Sequence, residues 1–229
     1  MKRTNIPAVG SPAQYHRFAQ RGTRALNNIL ISRIVEENVS NLSRPLRMLD
    51  IGTGTGHLLL EVASDSRFSY WSLIGIDIDP AMISFAQQEV DQLNLSHRVE
   101  MHVGDVHSLP IAEESVDVVI GRSVVHHWAD PSRAFREVFR ILRGGGCMLI
   151  HEPTHDPDPD ALASFDRERQ AAGLPRMTID EKYTIPQLKE ILYEAELPVQ
   201  ARIEAGTGLA ALGCEIFLRK GVESQCIRV

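Results

Sequence analysis

The chain has 229 residues, of which 43% are hydrophobic and 24% charged, with 24 Lys and Arg against 30 Asp and Glu for a formal net charge of −6. That length and balance fit one globular domain able to build its own core. The acidic surplus leaves no global positive field to gather phosphates and argues against nucleic acid as a partner; the basic stretch YHRFAQRGTR near the N-terminus reads more simply as a solvated helix face.

Cys147, Cys214 and Cys226 are odd in number and widely spaced, which argues against a disulfide framework or a zinc knuckle. No apolar run approaches the roughly 18 residues of a bilayer span. The opening MKRTNIPAVGSP lacks the apolar core of a signal peptide. A cytoplasmic protein without membrane contact, monomeric or homodimeric, is the expectation.

In chain order, RALNNILISRIVEENV places Leu26, Ile29, Leu30 and Ile34 on one helical face. After the turn-rich SNLSRPLR, the apolar run MLDI, a glycine-rich turn and HLLLEVAS read as strand, tight turn and helix. SLIGID is a second strand, followed by a helix that aligns Met82, Phe85, Ala86, Val90 and Leu93. Asp79 caps that helix and Pro80 suits its first turn. VEMHVGD and VDVVIGR are strands three and four, with the loop SLPIAEES between them. PSRAFREVFRIL is a helix that buries Phe135, Val138, Ile141 and Leu142 and stops at the GGG that follows; CMLIHEP is strand five. ALASFDRERQAAG is a further helix, and TIPQLKEILYEAEL another, with a capping box from Thr184 to Gln187 and with Leu188, Ile191, Leu192 and Ala195 buried. VQARIEA and CEIFLRK leave no room for a helix between them and should form an antiparallel hairpin at a sheet edge.

The expected fold is therefore α/β: a Rossmann-like, seven-stranded, mostly parallel sheet with an antiparallel C-terminal hairpin and helices on both faces. Residues 1–229 are expected to form one domain, made of an N-terminal helical extension or lid (1–45), a central core (46–153), a variable cover (154–183) and a C-terminal helix and hairpin (184–229).

In open α/β sheets the ligand sits beyond the carboxyl ends of the strands, and Gly52, Gly54 and Gly56 occupy the first strand-to-helix turn. A dinucleotide fingerprint would run G-x-G-x-x-G. Here the order is G-x-G-x-G and His57 fills the third glycine's place, which weakens the dinucleotide reading.

With LDIGTGTG the chain resembles the class I S-adenosylmethionine-dependent methyltransferases, motif by motif over residues 46–153. The resemblance implies Asp50 near the cofactor's amino group and Gly52, Gly54 and Gly56 beneath its aminocarboxypropyl and ribose parts. Asp77 in GIDIDP would take the ribose hydroxyls, with Asp79 as its nearby rival; Ile78 and Met82 would pack on the adenine. Asp105 in VGDVHSLP would meet the adenine amino group, with the Val106 backbone beside it. Arg122 and Tyr15 complete the expected cofactor contacts. The region VDVVIGRSVVHHWADPSRAFREVFRILRGGG is similar to the subgroup that includes ubiquinone and menaquinone C-methyltransferases, with Arg143 in place of the usual proline.

The implied reaction is methyl transfer from S-adenosylmethionine to a small-molecule acceptor, leaving S-adenosylhomocysteine. If the acceptor must lose a proton, a base is needed. His126 is the leading catalytic candidate and Glu152 the second. Arg122, His127, His151, Tyr15 and His16 lie in the same expected region, and adjacent His126 and His127 are not expected to share one pocket from a regular segment. His151, Glu152, His155, Asp156 and Asp158 are metal-ligand types, but alternating prolines hold that segment extended and its acids also suit a helix cap, so no metal is assigned. Phe165, Leu174, Met177 and Tyr183 are candidates for an apolar acceptor pocket. Two other readings stay open: a protein that binds the cofactor without methyl transfer, and a protein or RNA methyltransferase, against which GRSV stands where an N-P-P-[YF] signature would be needed.

Overall fold

The structure, a computed structural model, describes residues 10–37 and 45–221. Cys226 and part of the turn-rich SNLSRPLR lie outside the described residues.

Two helices lead in: α1 (Pro12–Phe18), capped by Ser11, and α2 (Arg24–Glu36), joined by a π-helical stretch, Ala19–Thr23. Alternation follows, with β1 (Arg47–Ile51), α3 (His57–Ser64), β2 (Ser72–Asp77), α4 (Pro80–Gln92), β3 (Val99–Val103), β4 (Val116–Arg122), α5 (Pro131–Ile141), β5 (Leu142–Pro153), α6 (Pro159–Ala171), α7 (Ile185–Glu194), β6 (Val199–Ala205) and β7 (Gly213–Lys220). The sheet order is β3-β2-β1-β4-β5-β7-β6. β1 to β5 pair in parallel, and β7 runs antiparallel between β5 and β6. Strand order reverses between β1 and β4, where such sheets open a crevice at their carboxyl ends.

Both faces are covered, so neighbouring residues on one strand serve different cores. Met48, Leu73 and Leu149 pack with Leu30, Leu59 and Val90 on one face; Leu49, Ile74 and Met148 pack with Phe135, Val138 and Leu188 on the other. This is why the strands read as continuous apolar runs rather than alternating ones. A third cluster joins Phe18 and Leu26 of the N-terminal segment to Phe165 and Leu174, fastening the cover to the lead-in helices. Cys147 and Cys214 are buried packing residues. No described helix is long and apolar enough to cross a membrane.

The expected caps are present: Asp79 accepts the Ala81 N–H, and Thr184 and Gln187 form the capping box. Four details depart from the sequence reading. α5 ends at Ile141 and Leu142 is already extended, so the glycine run does not cap the helix but opens β5. There the register slips between Val116 and Val118, because Leu142 and Cys147 are their partners and residues 143–146 must bulge. Arg143, at the family's proline position, lies in that bulge and pairs with buried Asp117 at 3.0 Å. Ile29 and Leu93 are exposed, while Ile31, Asn27 and Ile83 take the buried places on α2 and α4. A short helix, Gly208–Leu212, fits between β6 and β7, since a 3₁₀ turn needs only a few residues.

Candidate active site

The β1–α3 turn is built by backbone bonds to β2. Gly52 N–H and Thr53 N–H both donate to Ile76 O, at 2.8 and 3.0 Å, and Gly54 N–H donates to Asp77 Oδ2 at 2.8 Å. Gly52, Gly54 and Gly56 all have φ between +55° and +76°. A Cβ on Gly52 would stand 2.6 Å from Val124 Cγ1, and one on Gly56 2.9 Å from Met101 Cε; at Gly54 it would face Tyr15 at 3.3 Å. Backbone conformation favours glycine at all three positions; at Gly52 and Gly56 a Cβ would also meet the protein's own packing, whereas Gly54 faces the N-terminal segment across the cavity.

One cavity of about 420 Å³ opens above this turn. On one side it is lined by Gly52, Gly54, Asp77, Ile78, Met82, Asp105 and Val106, and on the others by Tyr15, Phe18, Arg122, His126, His127, Trp128, Phe165, Arg169 and Met177. Its size is that of a small-molecule site. Asp77 spans the turn, accepting from Gly54 N–H with one oxygen and from Asp79 N–H with the other, and burial raises its pKa. Asp105 is more exposed: burial pushes its carboxyl up, but bonds from the His107 backbone and imidazole outweigh that and hold it below the ordinary range. Ile78 is 51% exposed and lines the cavity with an apolar side chain.

Asp50 sits just under the turn at 2% exposure, where its Oδ2 accepts from the Thr53 hydroxyl at 2.7 Å. Burial pushes its pKa up to about 7, with Thr53 and Arg122 pulling the other way. Arg122, at the end of β4, has its Nε buried without a hydrogen-bond partner among the described residues. His57 lies against a buried histidine of α1: the rings of His16 and His57 are 5.8 Å apart, and burial first, then His16 and Arg122, push the His57 pKa down to about 4. It is therefore neutral near pH 7, and its 3.5 Å approach to Glu61 is not an ion pair there.

After β4 the chain turns through a short helix, Val125–His127. Glu152, completely buried at the end of β5, organises this turn. Its Oε2 accepts the N–H groups of Val124 and Val125 at 2.9 and 3.1 Å, and its Oε1 accepts His126 N–H at 3.0 Å and His126 Nδ1–H at 2.5 Å. Burial alone would raise the Glu152 pKa, but the His126 imidazole and these donors lower it. Nδ1 being held, Nε2 is the nitrogen of His126 left without a protein partner among the described residues. His127 lines the same cavity, its ring 4.0 Å from that of His126. The expectation that the two could not share a pocket does not hold, because the tight turn breaks the alternation of a strand.

The metal-ligand types do not converge. His151 Nε2 bonds Ala210 O, His155 Nδ1 bonds Ile179 O and Asp158 caps α6, while Glu152 holds the β4 turn. Of the expected acceptor residues, Phe165 and Met177 line the cavity; Leu174 packs in the cluster beneath, and Tyr183 packs against the core beside α7. Trp128, Arg169, Thr178, Glu181 and Lys182 line it as well, without any local motif that marks them.

A doubly wound sheet with its crevice at the β1/β4 switch, a G-x-G-x-G turn under that crevice and carboxylates at the ends of β2 and β3 define a Rossmann-like, nucleoside-binding class of enzyme fold. A family model described as a methyltransferase domain matches residues 42–196, and the chain belongs to the class I S-adenosylmethionine-dependent methyltransferases. It is 36% identical over 127 residues to the arsenite methyltransferase of Halobacterium salinarum, covering 50% of this chain and 31% of that protein. It is 32% identical over 106 residues to the ubiquinone/menaquinone biosynthesis C-methyltransferase UbiE of Geotalea daltonii, covering 46% and 45%. The chain thus spans less than half the length of these curated relatives. Among solved structures it resembles the plantazolicin methyltransferase BamL, in complex with a triazolic desmethylPZN analogue and SAH, at a TM-score of 0.68 and 17% identity over 91% of this chain and 90% of that one. A SAM-dependent methyltransferase from Aquifex aeolicus gives 0.62 and 17% over 82% and 87%. At such identities the likeness is one of fold.

Proposed function

We propose that the chain binds S-adenosylmethionine in the cavity above Gly52–Gly56 and transfers its methyl group to a small-molecule acceptor. The observation that carries this reading is the convergence of Asp77, Asp105 and Arg122 on one cavity, with Asp50 buried just beneath its glycine turn. Arg122 Nε is buried without a hydrogen-bond partner among the described residues, and Asp50, a buried carboxyl with its pKa pushed up to about 7, accepts from the Thr53 hydroxyl. A zwitterionic nucleoside offers its carboxylate to Arg122 and its ammonium to Asp50, so the residues fit the cofactor.

When bound, the cofactor supplies a methyl group made electrophilic by its sulfonium. Asp77, re-aiming a carboxylate already spanning the turn, takes the ribose hydroxyls; Asp105 and Val106 take the adenine edge, and Ile78 and Met82 its face. Tyr15, Phe18, Trp128 and Phe165 exclude water and hold the acceptor at attack distance, which supplies much of the rate in a displacement of this kind. For an acceptor that carries a proton on its nucleophilic atom, His126 Nε2 receives that proton. Glu152 fixes the productive tautomer by holding Nδ1–H and stabilises the imidazolium that forms. Glu152 is thus a positioning residue, its own oxygens being fully occupied.

Titration calorimetry with S-adenosylmethionine and S-adenosylhomocysteine tests the reading. Binding of both is expected, and the lack of it in protein freed of bound nucleoside would overturn the proposal. Incubation of cofactor carrying a labelled methyl group with a metabolite extract, followed by mass detection, identifies the acceptor.

A further inference from the structure

We propose that Arg169 anchors the anionic group of the acceptor, and hence that the acceptor is a small apolar or aromatic acid; this rests on the reading of the cavity as a methyl-transfer site. Arg169 lies on α6, in the cover, and lines the cavity together with Phe18, Phe165 and Met177. Its Nε donates to Pro175 O at 2.7 Å and its guanidinium carbon lies 5.5 Å from the centre of the Phe18 ring. These contacts hold the stem and the plane of the side chain and leave the two terminal nitrogens.

Those nitrogens have no carboxylate within 4.0 Å among the described residues, whereas Arg33, Arg67, Arg140, Arg143, Arg202 and Arg219 each hold one. Asp166, one turn before Arg169, is turned aside to accept the Met177 N–H at 2.7 Å. Burial correspondingly pushes the Arg169 pKa down, with Tyr15 and Asp166 offsetting it only in part. A guanidinium held at Nε by Pro175 O and set over an aromatic ring, with apolar Phe165 and Met177 lining the same cavity and no carboxylate on its outer fork among the described residues, matches a carboxylate bidentately. An acceptor anchored by its charge also complements the sulfonium it must approach. The anionic group is the handle; the methylated atom is elsewhere on the molecule.

The test is binding in the presence of saturating S-adenosylhomocysteine, with benzoate, phenylacetate and octanoate as probes against their primary amides. In the wild-type protein at least one acid should bind about tenfold or more tightly than its amide. Arg169→Gln should abolish that preference while leaving S-adenosylhomocysteine affinity within about twofold, and Arg169→Lys should retain part of it. No acid preferred over its amide, or equal loss for acid and amide in Arg169→Gln, would overturn the proposal, the second result marking Arg169 as a brace for the cover. Failure of S-adenosylhomocysteine to bind the wild type is a separate outcome, which removes the methyl-transfer reading itself.

Discussion

The His126 imidazole and the Glu152 carboxylate meet at 2.5 Å in a completely buried contact, and the same carboxylate gathers three successive backbone N–H groups of the β4 turn. One side chain therefore sets both the turn's shape and the ring's tautomer. Glu152→Ala strands four buried donors and should cost about 3 to 5 kcal/mol in urea unfolding. In nitrogen NMR the neutral His126 ring should carry its proton on Nδ1, and Glu152→Gln should lose that preference. With the acceptor in hand, His126→Ala should lower turnover roughly 100- to 10,000-fold while S-adenosylhomocysteine affinity is kept.

Asp77 and Asp79 are two residues apart and do different work. Asp77→Ala should weaken S-adenosylhomocysteine binding by about 1 to 3 kcal/mol, through lost charge-assisted bonds and a loosened Gly54. Asp79→Ala removes the α4 cap and should cost about 0.5 to 2 kcal/mol of stability with affinity changed far less. Calorimetry beside urea unfolding separates the two; equal affinity losses would contradict the assignment.

The glycine turn divides in the same way. Gly52→Ala forces a Cβ onto Val124 at positive φ and should destabilise by about 2 to 5 kcal/mol, the left-handed penalty plus overpacking. Gly54→Ala meets only the edge of Tyr15, so most of its cost should be conformational, about 1 to 2 kcal/mol. Urea midpoints of the two variants rank them.

Asp50 and His57 give opposite pH dependences. Asp50 rises from 3.8 to about 7 on folding, so between those values the native state binds more protons than the unfolded one and stability falls as pH rises. His57 drops from 6.5 to about 4, so over that interval the native state binds fewer and stability is lost as pH falls. Relative to wild type, Asp50→Asn should make stability climb more steeply between about pH 4.5 and 6.5, and His57→Gln should flatten the climb. Urea midpoints across that range read both slopes. An ammonium group bound beside Asp50 favours its charged form, so S-adenosylhomocysteine binding near neutral pH should release a proton from wild type and not from Asp50→Asn, seen as buffer-dependent binding enthalpy.

What could be read in advance was local. A strand, a G-x-G-x-G turn and a helix, the Asp79–Pro80 helix start and the Thr184–Gln187 capping box are each written within a few consecutive residues, and each is found as read. The end of α5 departs from its local pattern because the glycine run belongs to a bulge whose cause, the pairing of Val116 with Leu142 and of Val118 with Cys147, is a relation between two strands. Ile29 and Leu93 fit the helical period, but which side of a helix is covered depends on what packs there.

The sequence by itself determined the alternation of strands and helices, the glycine turn and the carboxylates at or just past the ends of β1, β2 and β3, because hydrophobic period, caps and turn chemistry act over short distances along the chain. The tertiary structure alone decided that Gly52 and Gly56 answer to Val124 and Met101 and that Glu152 serves His126 by closing the β4 turn. It also brought Arg169 of the cover to the cavity that Gly54 helps to line. Such contacts join residues tens of positions apart, and burial and charge pairing are properties of the packed chain rather than of any segment in it.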